Sequence, residues 1–317
     1  MIKIENLRKS YGEFVAVNDI SFSVQPGEVL GFLGPNGAGK STTMKIITGF
    51  IRPASGSVSV FDHDISKNPI AAKSLIGYLP EGAPAYGDMT VSGFLEFIAE
   101  IRGYTGSEKQ KRVEYVTQQL ALESVLHRPI DNLSKGFKRR VGIAQAIIHD
   151  PRVLILDEPT DGLDPNQKHQ VRELIRGLSK DKIVIISTHI LEEVSAVCSR
   201  AIIIANGRVV ADAAPLELAT RSRYHRAITI ELNLDKSVAD KLNKLSGLET
   251  LEVHPDIPSR YTLIPEKDSK DGSSLFDRVN QLIVANVWEV KELYVESGRL
   301  DDIFRQLTHD KCSTEAA

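Results

Sequence analysis

The chain has 317 residues, of which 42% are hydrophobic and 26% are charged, and its formal net charge is −3. This composition is typical of a globular protein, and the length fits two domains better than one. So small a net charge excludes a strong overall attraction to nucleic acid or to an acidic membrane surface. The two cysteines, Cys198 and Cys312, have neither metal-ligand spacing nor a disulfide framework, which suits a reducing compartment.

The sequence predicts no membrane-spanning segment. The first residues, MIKIENLRKSYGEF, contain no apolar signal core, and no apolar run approaches the length of a bilayer span. We therefore expect any function at a membrane to depend on a partner that provides the span.

Predicted strands and helices alternate through the first two thirds of the chain. In chain order they are strands at 2–9 and 14–24, a strand, glycine turn and helix in 26–50, strands in VSVFDHDI (58–65) and SLIGYLP (74–80), a mostly helical region over 91–127, a helix in GFKRRVGIAQAIIHD (136–150), strands in RVLILDEPT (152–160) and KIVIISTHI (182–190), and a hairpin in AIIIANGRVVAD (201–212) turning at Asn206-Gly207. The alternation predicts a partly parallel α/β sheet with ligands at the carboxyl ends of its strands.

A composition shift near 213–226 marks a second domain. Its predicted elements are a strand (226–233), a helix (235–245), two strands (248–254 and 260–264), a helix (274–285) and a strand (287–295), followed by a helix in GRLDDIFRQLT and a frayed tail, HDKCSTEAA. This is the split βαβ order of a ferredoxin-like unit. We predict domains at 1–215 and 222–308, the second a dimerising or regulatory appendage without a metal or nucleotide motif.

Residues 34–41, GPNGAGKS, match the phosphate-binding pattern G-x-x-x-x-G-K-[ST]. The predicted phosphate-binding residues are Gly34, Pro35, Asn36, Gly37, Ala38, Gly39, Lys40, Ser41 and the following Thr42. Glycines let backbone N–H groups turn towards phosphate oxygens, the lysine places a charge at the β- and γ-phosphates, and the serine offers a hydroxyl to Mg²⁺. The alternative is an ordinary glycine turn, but the preceding strand and following helix favour nucleotide binding.

A second part of the predicted site lies in VLILDEPT, where an apolar strand leads to Asp157 and Glu158. Adjacent strand residues point to opposite faces, so we predict different tasks: Asp157 near Mg²⁺, and Glu158 orienting or deprotonating an attacking water. His189, at the end of another strand, could bond the γ-phosphate. The alternatives are a solvated acid pair and an ordinary histidine.

The stretch NLSKGFKRR (132–140) has the serine, glycine and cations of a phosphate cradle but no lysine-serine pair. One interpretation is a helix start at which Ser134 caps the backbone and the cations are solvated. That interpretation leaves several cations near a helix N-terminus, where the helix dipole disfavours them. A nearby anion would relieve the conflict.

Together, GPNGAGKST, LPEG, LSKGF, LILDEP, GLDP and STH stand in an order that resembles the ATP-binding subunits of ABC transporters. The resemblance covers residues 1 to about 215 and implies a P-loop NTPase fold of the ABC ATPase type, with a helical subdomain at about 82–150. A finer resemblance, to the ABC-2 type exporters of the multidrug and gliding-motility-like group, is carried by IGYLPE, LSKGFKRRVGIAQAI and VESGRLDDIFRQLT.

This resemblance implies ATP and Mg²⁺ as cofactors and assigns roles by position. Ser134, Lys135, Gly136 and Phe137 would bind the nucleotide of a second subunit, Tyr11 would stack on adenine, Asp164 would lie across the dimer interface, Ser41, Glu81 and Asp157 would serve the metal, and Glu158 and His189 would be the general base and the γ-phosphate switch. The chain departs from the family pattern at Glu81, where glutamine is usual, at Lys135, where glycine is usual, and at Phe137, where glutamine is usual.

The function implied is an ATP-hydrolysing subunit that works as a sandwich dimer, expected to be a homodimer, on an integral membrane permease subunit. We expect it at the cytoplasmic face of the membrane, with a groove in 82–127 for the permease and without a nucleic-acid partner. One alternative is a soluble ABC ATPase of DNA repair or translation, although the chain has one phosphate loop and no extended heptads. Another is a regulatory or scaffold protein with little turnover, because Glu81 and Lys135 are unusual.

Overall fold

A computed structural model gives the fold and describes residues 1–83, 85–233, 236–266 and 275–309. The chain divides into two compact units, Met1–Ala214 and Pro215–Gln306, and the helix end that begins at Leu307 is grouped with the first. The predicted frayed tail, with Cys312, lies outside the described residues from 310 onwards.

The elements of the first unit alternate as the sequence predicts. Its strands are β1 (Ile2–Tyr11), β2 (Phe14–Val24), β3 (Val29–Leu33), β4 (Ser55–Val60), β5 (His63–Asp64), β6 (Ile76–Leu79), β7 (Val153–Asp157), β8 (Ile183–Thr188), β9 (Arg200–Ala205) and β10 (Arg208–Ala213). Its helices are α1 (Lys40–Ile47), α2 (Pro69–Ser74), α3 (Val91–Ile101), α4 (Gly106–Gln119), α5 (Lys135–Ile147), α6 (Pro165–Leu178) and α7 (Leu191–Val197).

A six-stranded sheet in the order β10-β9-β3-β8-β7-β6 forms the centre of this unit, parallel except for β10. Every residue of β3, β7 and β8 is buried, as expected for parallel strands covered on both faces. The register pairs Leu33 with Thr188 and Asp157 with Ser187. The loop after β3 and the acids after β7 therefore lie at one edge of the sheet.

A second, antiparallel sheet in the order β2-β1-β4-β5 completes the β-structure of the unit. The predicted strand over 58–65 is interrupted here, because Phe61 adopts a left-handed conformation (φ 51°) and turns the chain between β4 and β5. The strand predicted in 74–80 is shorter, since Ser74 ends α2. The predicted turn at Asn206-Gly207 is formed, with φ of 50° and 71°.

Helices α3, α4 and α5, which lie in the region predicted to be a helical subdomain, contribute to one apolar core that also includes residues of the central sheet. Val91, Phe94 and Leu95 of α3 contribute to it, together with Val116 of α4 and Ile143 of α5. The side chain of Thr90 accepts a hydrogen bond from the Gly93 N–H (3.2 Å) and so starts α3. The 3.6-residue spacing of these apolar positions explains why the segment was predicted to be helical.

The second unit begins with α8 (Pro215–Thr220) and continues as a βαββαβ unit. Its elements are β11 (Ile228–Leu232), α9 (Lys236–Leu242), β12 (Leu248–Val253), β13 (Arg260–Pro265), α10 (Leu275–Asn286) and β14 (Val290–Val295), followed by α11 (Leu300–His309). The sheet order is β12-β13-β11-β14, with every neighbouring pair antiparallel. This is the element order of the ferredoxin-like unit that the sequence predicts.

Within the ranges that the structure describes, no helix combines the length and the apolarity required to cross a bilayer.

Candidate active site

The phosphate loop joins β3 to α1 and is closely packed against neighbouring backbone. A Cβ atom at Gly34 would lie 2.6 Å from the carbonyl oxygen of Ile204, and one at Gly39 would collide with the carbonyl oxygen of Ala16. Gly39 also has a φ of 103°, which side chains rarely adopt, and it caps α1 without a side-chain hydrogen bond. The helix therefore begins with N–H groups that no capping side chain occupies.

Lys40 is buried within this loop, with 6% of its surface exposed. Its Nζ donates hydrogen bonds to the carbonyl oxygens of Gly34 (2.7 Å) and Pro35 (3.3 Å). Burial lowers the pKa of Lys40, while the carboxylates of Glu158, Asp157 and Glu81 act in the opposite direction. The lysine is thus close enough to these three acids, which the sequence assigns to the same site, for their charges to act on it.

Asp157 is the last residue of β7 and is 1% exposed. Its Oδ1 is buried and has no hydrogen-bond partner among the described residues. Burial is the largest cause raising the pKa of Asp157; Glu158 and Glu81 add to it, while the hydroxyls of Ser187 and Ser41 oppose it. A buried acceptor without a partner is suited to a ligand that brings positive charge.

Glu158 lies just beyond the strand in a left-handed conformation, with φ of 50°. Its N–H donates to the carbonyl oxygen of Ser187 (2.8 Å), which fixes the turn against the end of β8. The predicted alternation of two acids along one strand is therefore wrong, because β7 ends at Asp157. The left-handed turn, not the strand pleat, sets the direction of the Glu158 side chain.

His189 and Glu158 are joined by a hydrogen bond of 2.9 Å between Nδ1 and Oε1. A carboxylate only accepts, so this ring nitrogen carries the proton and donates it. The Glu158 side chain is 11% exposed, whereas that of His189 is 52% exposed. The other carboxylate oxygen, Oε2, is buried and has no partner within the described part of the chain.

A cavity of about 330 Å³ lies at the phosphate loop and is large enough for a small-molecule ligand. It is lined by Phe14, Ala16, Asn36, Gly37, Gly39, Lys40, Ser41, Thr42, Glu81 and Glu158. The structure thus places most of the predicted phosphate loop, the predicted metal residues Ser41 and Glu81 and the predicted base around one space, whereas Asp157 and His189 are not among the lining residues. Phe14 and Ala16, which the sequence analysis did not single out, line it as well.

Tyr11, the predicted adenine-stacking residue, is not among the residues that line this cavity. It is 51% exposed, pairs with Phe14 across the β1–β2 hairpin, and has Lys9 Nζ 5.4 Å from its ring centroid. Phe14 is also exposed, at 61%. Two aromatic side chains at one hairpin are thus available to an adenine, and the sequence pattern indicated only one.

The segment Ser134–Phe137 forms the beginning of α5 and does not line the cavity. Ser134 is exposed and accepts a hydrogen bond from the Phe137 N–H (3.4 Å), so the capping interpretation holds. Asp164 is likewise exposed and caps α6, accepting from the Gln167 N–H (2.9 Å). A capping role leaves the outward surfaces of both side chains free for another molecule.

Comparison with known proteins identifies the family. Residues 17–161 match the family model described as ABC transporter. The linearmycin resistance ATP-binding protein LnrL of Bacillus subtilis is 37% identical, over 97% of this chain and 98% of its own length. The chain belongs to the ABC transporter family of ATP-binding proteins. The Nod factor export ATP-binding protein I of Ralstonia nicotianae is 32% identical to this ABC protein, over 97% of this chain and 94% of its own length.

Solved structures agree with this assignment. An ATP-binding subunit of an ABC transporter superposes with a TM-score of 0.64 at 30% identity, over 70% of this chain and 92% of its own. A dimeric bacterial ABC transporter cassette, MJ0796, gives a TM-score of 0.63 at 25% identity, over 68% and 99% of the respective chains. This ABC protein is an ATP-hydrolysing, nucleotide-binding subunit of a transporter.

Proposed function

We propose that this ABC ATPase drives export through a separate membrane subunit, as one of two identical ATP-binding subunits. The observation that carries the proposal is the cavity in which the phosphate loop, Glu81 and Glu158 meet. The His189–Glu158 hydrogen bond adds a second polar group to the same acid. A phosphate-binding loop beside a carboxylate that a histidine holds in place is an arrangement suited to hydrolysis of a nucleoside triphosphate.

In this proposal the triphosphate lies on the loop Gly34–Thr42, where N–H groups and the start of α1 attract negative charge. Lys40, held by the loop carbonyls, supplies a point charge to the β- and γ-phosphates. Phe14, or Tyr11 beside it, stacks on the adenine. The β1–β2 hairpin and the phosphate loop are linked through Gly207. Its carbonyl oxygen accepts a hydrogen bond from the Asn18 N–H (2.8 Å), and its N–H donates to the Ala38 carbonyl oxygen (3.1 Å).

The residues present fit Mg²⁺. Ser41 and Asp157 offer oxygen atoms, the ligands this ion prefers, and Asp157 Oδ1 lacks a partner within the described residues. Among the described residues, no group of three or more His, Cys, Asp or Glu side chains is arranged to hold a metal ion. When bound, the ion would neutralise charge on the β- and γ-phosphates, and Glu81 is the third residue that we assign to it.

We assign the hydrolytic step to Glu158 and His189. Glu158 would orient a water molecule and accept its proton as the water attacks the γ-phosphate. His189 would hold the carboxylate through Nδ1–H, and in its doubly protonated form it would also donate from Nε2–H to a phosphate oxygen. The left-handed turn at Glu158 keeps the acid beside the ends of β7 and β8 rather than along the strand.

The second half of each ATP site would come from the other subunit. Ser134, Lys135, Gly136 and Phe137 stand at a helix N-terminus that attracts an anion, and they lie outside the chain's own cavity. The dimeric cassette among the structural neighbours supports this arrangement. Asp164, exposed at the start of α6, would lie across the interface between the two copies.

A groove in the helical subdomain offers a surface for the membrane subunit. It encloses about 340 Å³ and is lined by Ala85, Tyr86, Phe94, Phe97, Ile98, Ile101 and Gln145. Tyr86 and Ile101 are 58% and 64% exposed, although both are large and apolar. Edge-to-face contacts of Tyr86 with Phe94 (6.3 Å) and Phe97 (5.8 Å) fix the groove's aromatic wall. We assign it to a short helix of the permease.

We infer the direction of transport and the location from the relatives. One relative's name refers to Nod factor export and another's to linearmycin resistance, and we infer the same outward direction here. The subunit would then work at the cytoplasmic face of the membrane. We further propose that the domain predicted at 222–308 strengthens dimerisation, while residues 1–215 form the ATPase domain.

The groove assignment is tested by identifying the integral membrane protein that co-purifies with the tagged chain from solubilised membranes. Ile101→Asp places a charge in the groove, and we expect it to abolish co-purification because a buried unpaired charge opposes docking. Ile70→Asp is the matched control, since Ile70 is 86% exposed on α2 and lies outside the groove. Retention of the membrane protein by the Ile101 variant would contradict the assignment.

A further inference from the structure

Arg139 differs from the other cations at the start of α5. Lys135 is exposed, Lys138 pairs with Asp131 (3.6 Å), and Arg140 hydrogen-bonds to Gln170. Arg139 is instead only 6% exposed, and its Nη1 is buried without a hydrogen-bond partner among the described residues. A buried guanidinium nitrogen without a partner is costly, so its position calls for a physical reason.

The surface of α5 on one side of Arg139 packs against the segment that contains Glu81. Gly136 and Gly142 lie three residues before and after Arg139, so each is its neighbour on the helix surface. A Cβ at Gly142 would lie 2.6 Å from Leu79 Cδ1 and 2.9 Å from Ala83 Cβ, two residues to either side of Glu81.

On the other side of Arg139, next to Gly136, α5 packs against the start of α6. A Cβ at Gly136 would collide with the side-chain amide of Gln167, and one at Gly162 would lie 3.3 Å from Lys135 Cδ. Arg139 therefore stands between the segment around Glu81 and the turn that contains Asp161. Both segments contribute carboxylates at the edge of the sheet where β7 ends.

The charges around Arg139 match those around Lys40. Burial lowers the pKa of Arg139, while Asp161, Glu158, Asp157 and Glu81, in that order, act in the opposite direction. Three of those four acids also act on Lys40. Glu81, Asp157 and Glu158 are therefore influenced by two buried cations, one in the phosphate loop and one in α5. Without Arg139, Lys40 would be the one cation of these two left to offset the charge of three carboxylates beside a bound triphosphate.

We propose that Arg139 is a positioning residue of the ATPase, which offsets the charge of Glu81 so that a triphosphate can bind beside three carboxylates. The inference rests on the proposed function, because it assumes that the cavity binds ATP. Arg139 acts through the carboxylates of its own chain and does not touch the nucleotide. In this proposal one side of the first turns of α5 acts on the acids of the same chain through Arg139, while Ser134 is exposed on the surface.

The test compares Arg139→Gln, Glu81→Gln and the double variant in ATP binding measured with EDTA present, where no metal masks the carboxylate charge. We expect Arg139→Gln to weaken ATP binding about tenfold or more, because the carboxylates then repel the triphosphate. Adding Glu81→Gln should return the affinity to within about threefold of the parent, which is the coupling expected of neighbouring charges. Arg139→Lys, which keeps the charge, should bind nearly as tightly as the parent.

Arg140→Gln is the matched control, because Arg140 is the next residue of α5 and bonds to Gln170 and the Leu120 carbonyl oxygen instead. A purely structural Arg139 would lower the melting temperature of both the single and the double variant without any rescue by Glu81→Gln. The proposal is overturned if Arg139→Gln binds ATP like the parent, or if the double variant binds no better than Arg139→Gln. A parent chain that binds ATP but fails to hydrolyse it with Mg²⁺ would refute the assigned hydrolytic step and leave this binding comparison intact.

Discussion

Two helix N-termini of this chain resemble phosphate sites, and they are built in opposite ways. At α1 the capping residue is Gly39, no side chain closes the helix end, and a cavity with buried Lys40 surrounds it. At α5 the cap is Ser134, which accepts the Phe137 N–H, and the segment lies outside that cavity. The N-terminus of α1 can therefore bind a ligand in a cavity of its own chain. The N-terminus of α5 is capped by its own serine and would need a second molecule to form a binding site.

The largest expected effect concerns Glu158, which belongs to the first site. Glu158→Gln should lower ATP turnover by about 10²–10⁴-fold, because an amide cannot accept a proton from water. ATP binding should persist, and dimers containing uncleaved ATP should accumulate. Phosphate release and gel filtration with Mg²⁺ and ATP measure the two effects.

The control for this variant is Glu173→Gln on α6, where Glu173 is half exposed and pairs with Arg176. It should leave turnover unchanged. Normal phosphate release by Glu158→Gln would exclude Glu158 as the base.

A smaller effect is expected at Ser134, and it separates the cap from the contact with a second nucleotide. Ser134→Ala should lose about 1 kcal/mol of helix stability. Ser134→Asp keeps a good cap but places a negative charge where a γ-phosphate would bind, so it should keep the parent's melting temperature and lose most turnover.

Both Ser134 variants should bind ATP as single chains like the parent, because Ser134 lies outside the chain's own cavity. Calorimetric melting and turnover at high protein concentration provide the two readouts. Full turnover by the aspartate variant would mean that the second helix end is a cap and nothing more.

A third prediction concerns Phe14 and Tyr11, the two aromatic side chains of the β1–β2 hairpin, and asks which of them stacks on adenine. Replacing the residue that stacks on adenine with alanine should lower the affinity for ATP about fivefold or more, because the stacking contributes roughly 1 kcal/mol. Because Phe14 lines the cavity and Tyr11 does not, we expect the larger loss in Phe14→Ala than in Tyr11→Ala. Titration with fluorescent ATP measures both, and Tyr115→Ala on α4 is the control. A reversed order would return the role to Tyr11.

The smallest effect is expected for Glu81→Gln alone. Turnover should stay within about one order of magnitude of the parent, since the amide preserves the shape of the side chain and Asp157 remains for the metal. Steady-state phosphate release measures the change. Complete loss of turnover would show that the carboxylate of Glu81 has a task of its own.

Sequence patterns predicted the framework of this site because the framework depends on local chemistry. The apolar runs of β7 and β8, the glycines of the phosphate loop and the Asn206-Gly207 turn each have a direct physical signature. Parallel strands then bring Asp157 and the loop after Leu33 to one edge without further information.

Features that depend on tertiary packing were not predictable in the same way. The left-handed turn at Glu158 is fixed by its N–H bond to Ser187, 29 positions away in another strand. Arg139 looks like any solvated cation of NLSKGFKRR, and its burial becomes visible only when Gly142 meets Leu79 and Ala83. Phe14 and Tyr11 stand at similar places in one hairpin, and only the shape of the cavity distinguishes them.

The backbone at position 158 has a consequence for anyone who wishes to make this protein more heat-resistant. A glutamate in a left-handed conformation is strained by about 1 kcal/mol relative to glycine, which adopts that conformation freely. A search for stabilising substitutions that considers only backbone strain would therefore select glycine at position 158. With Glu158 as the proposed proton acceptor, we expect Glu158→Gly to raise the melting temperature and to abolish ATP turnover, so the residue that strains the backbone is also the one that the reaction requires.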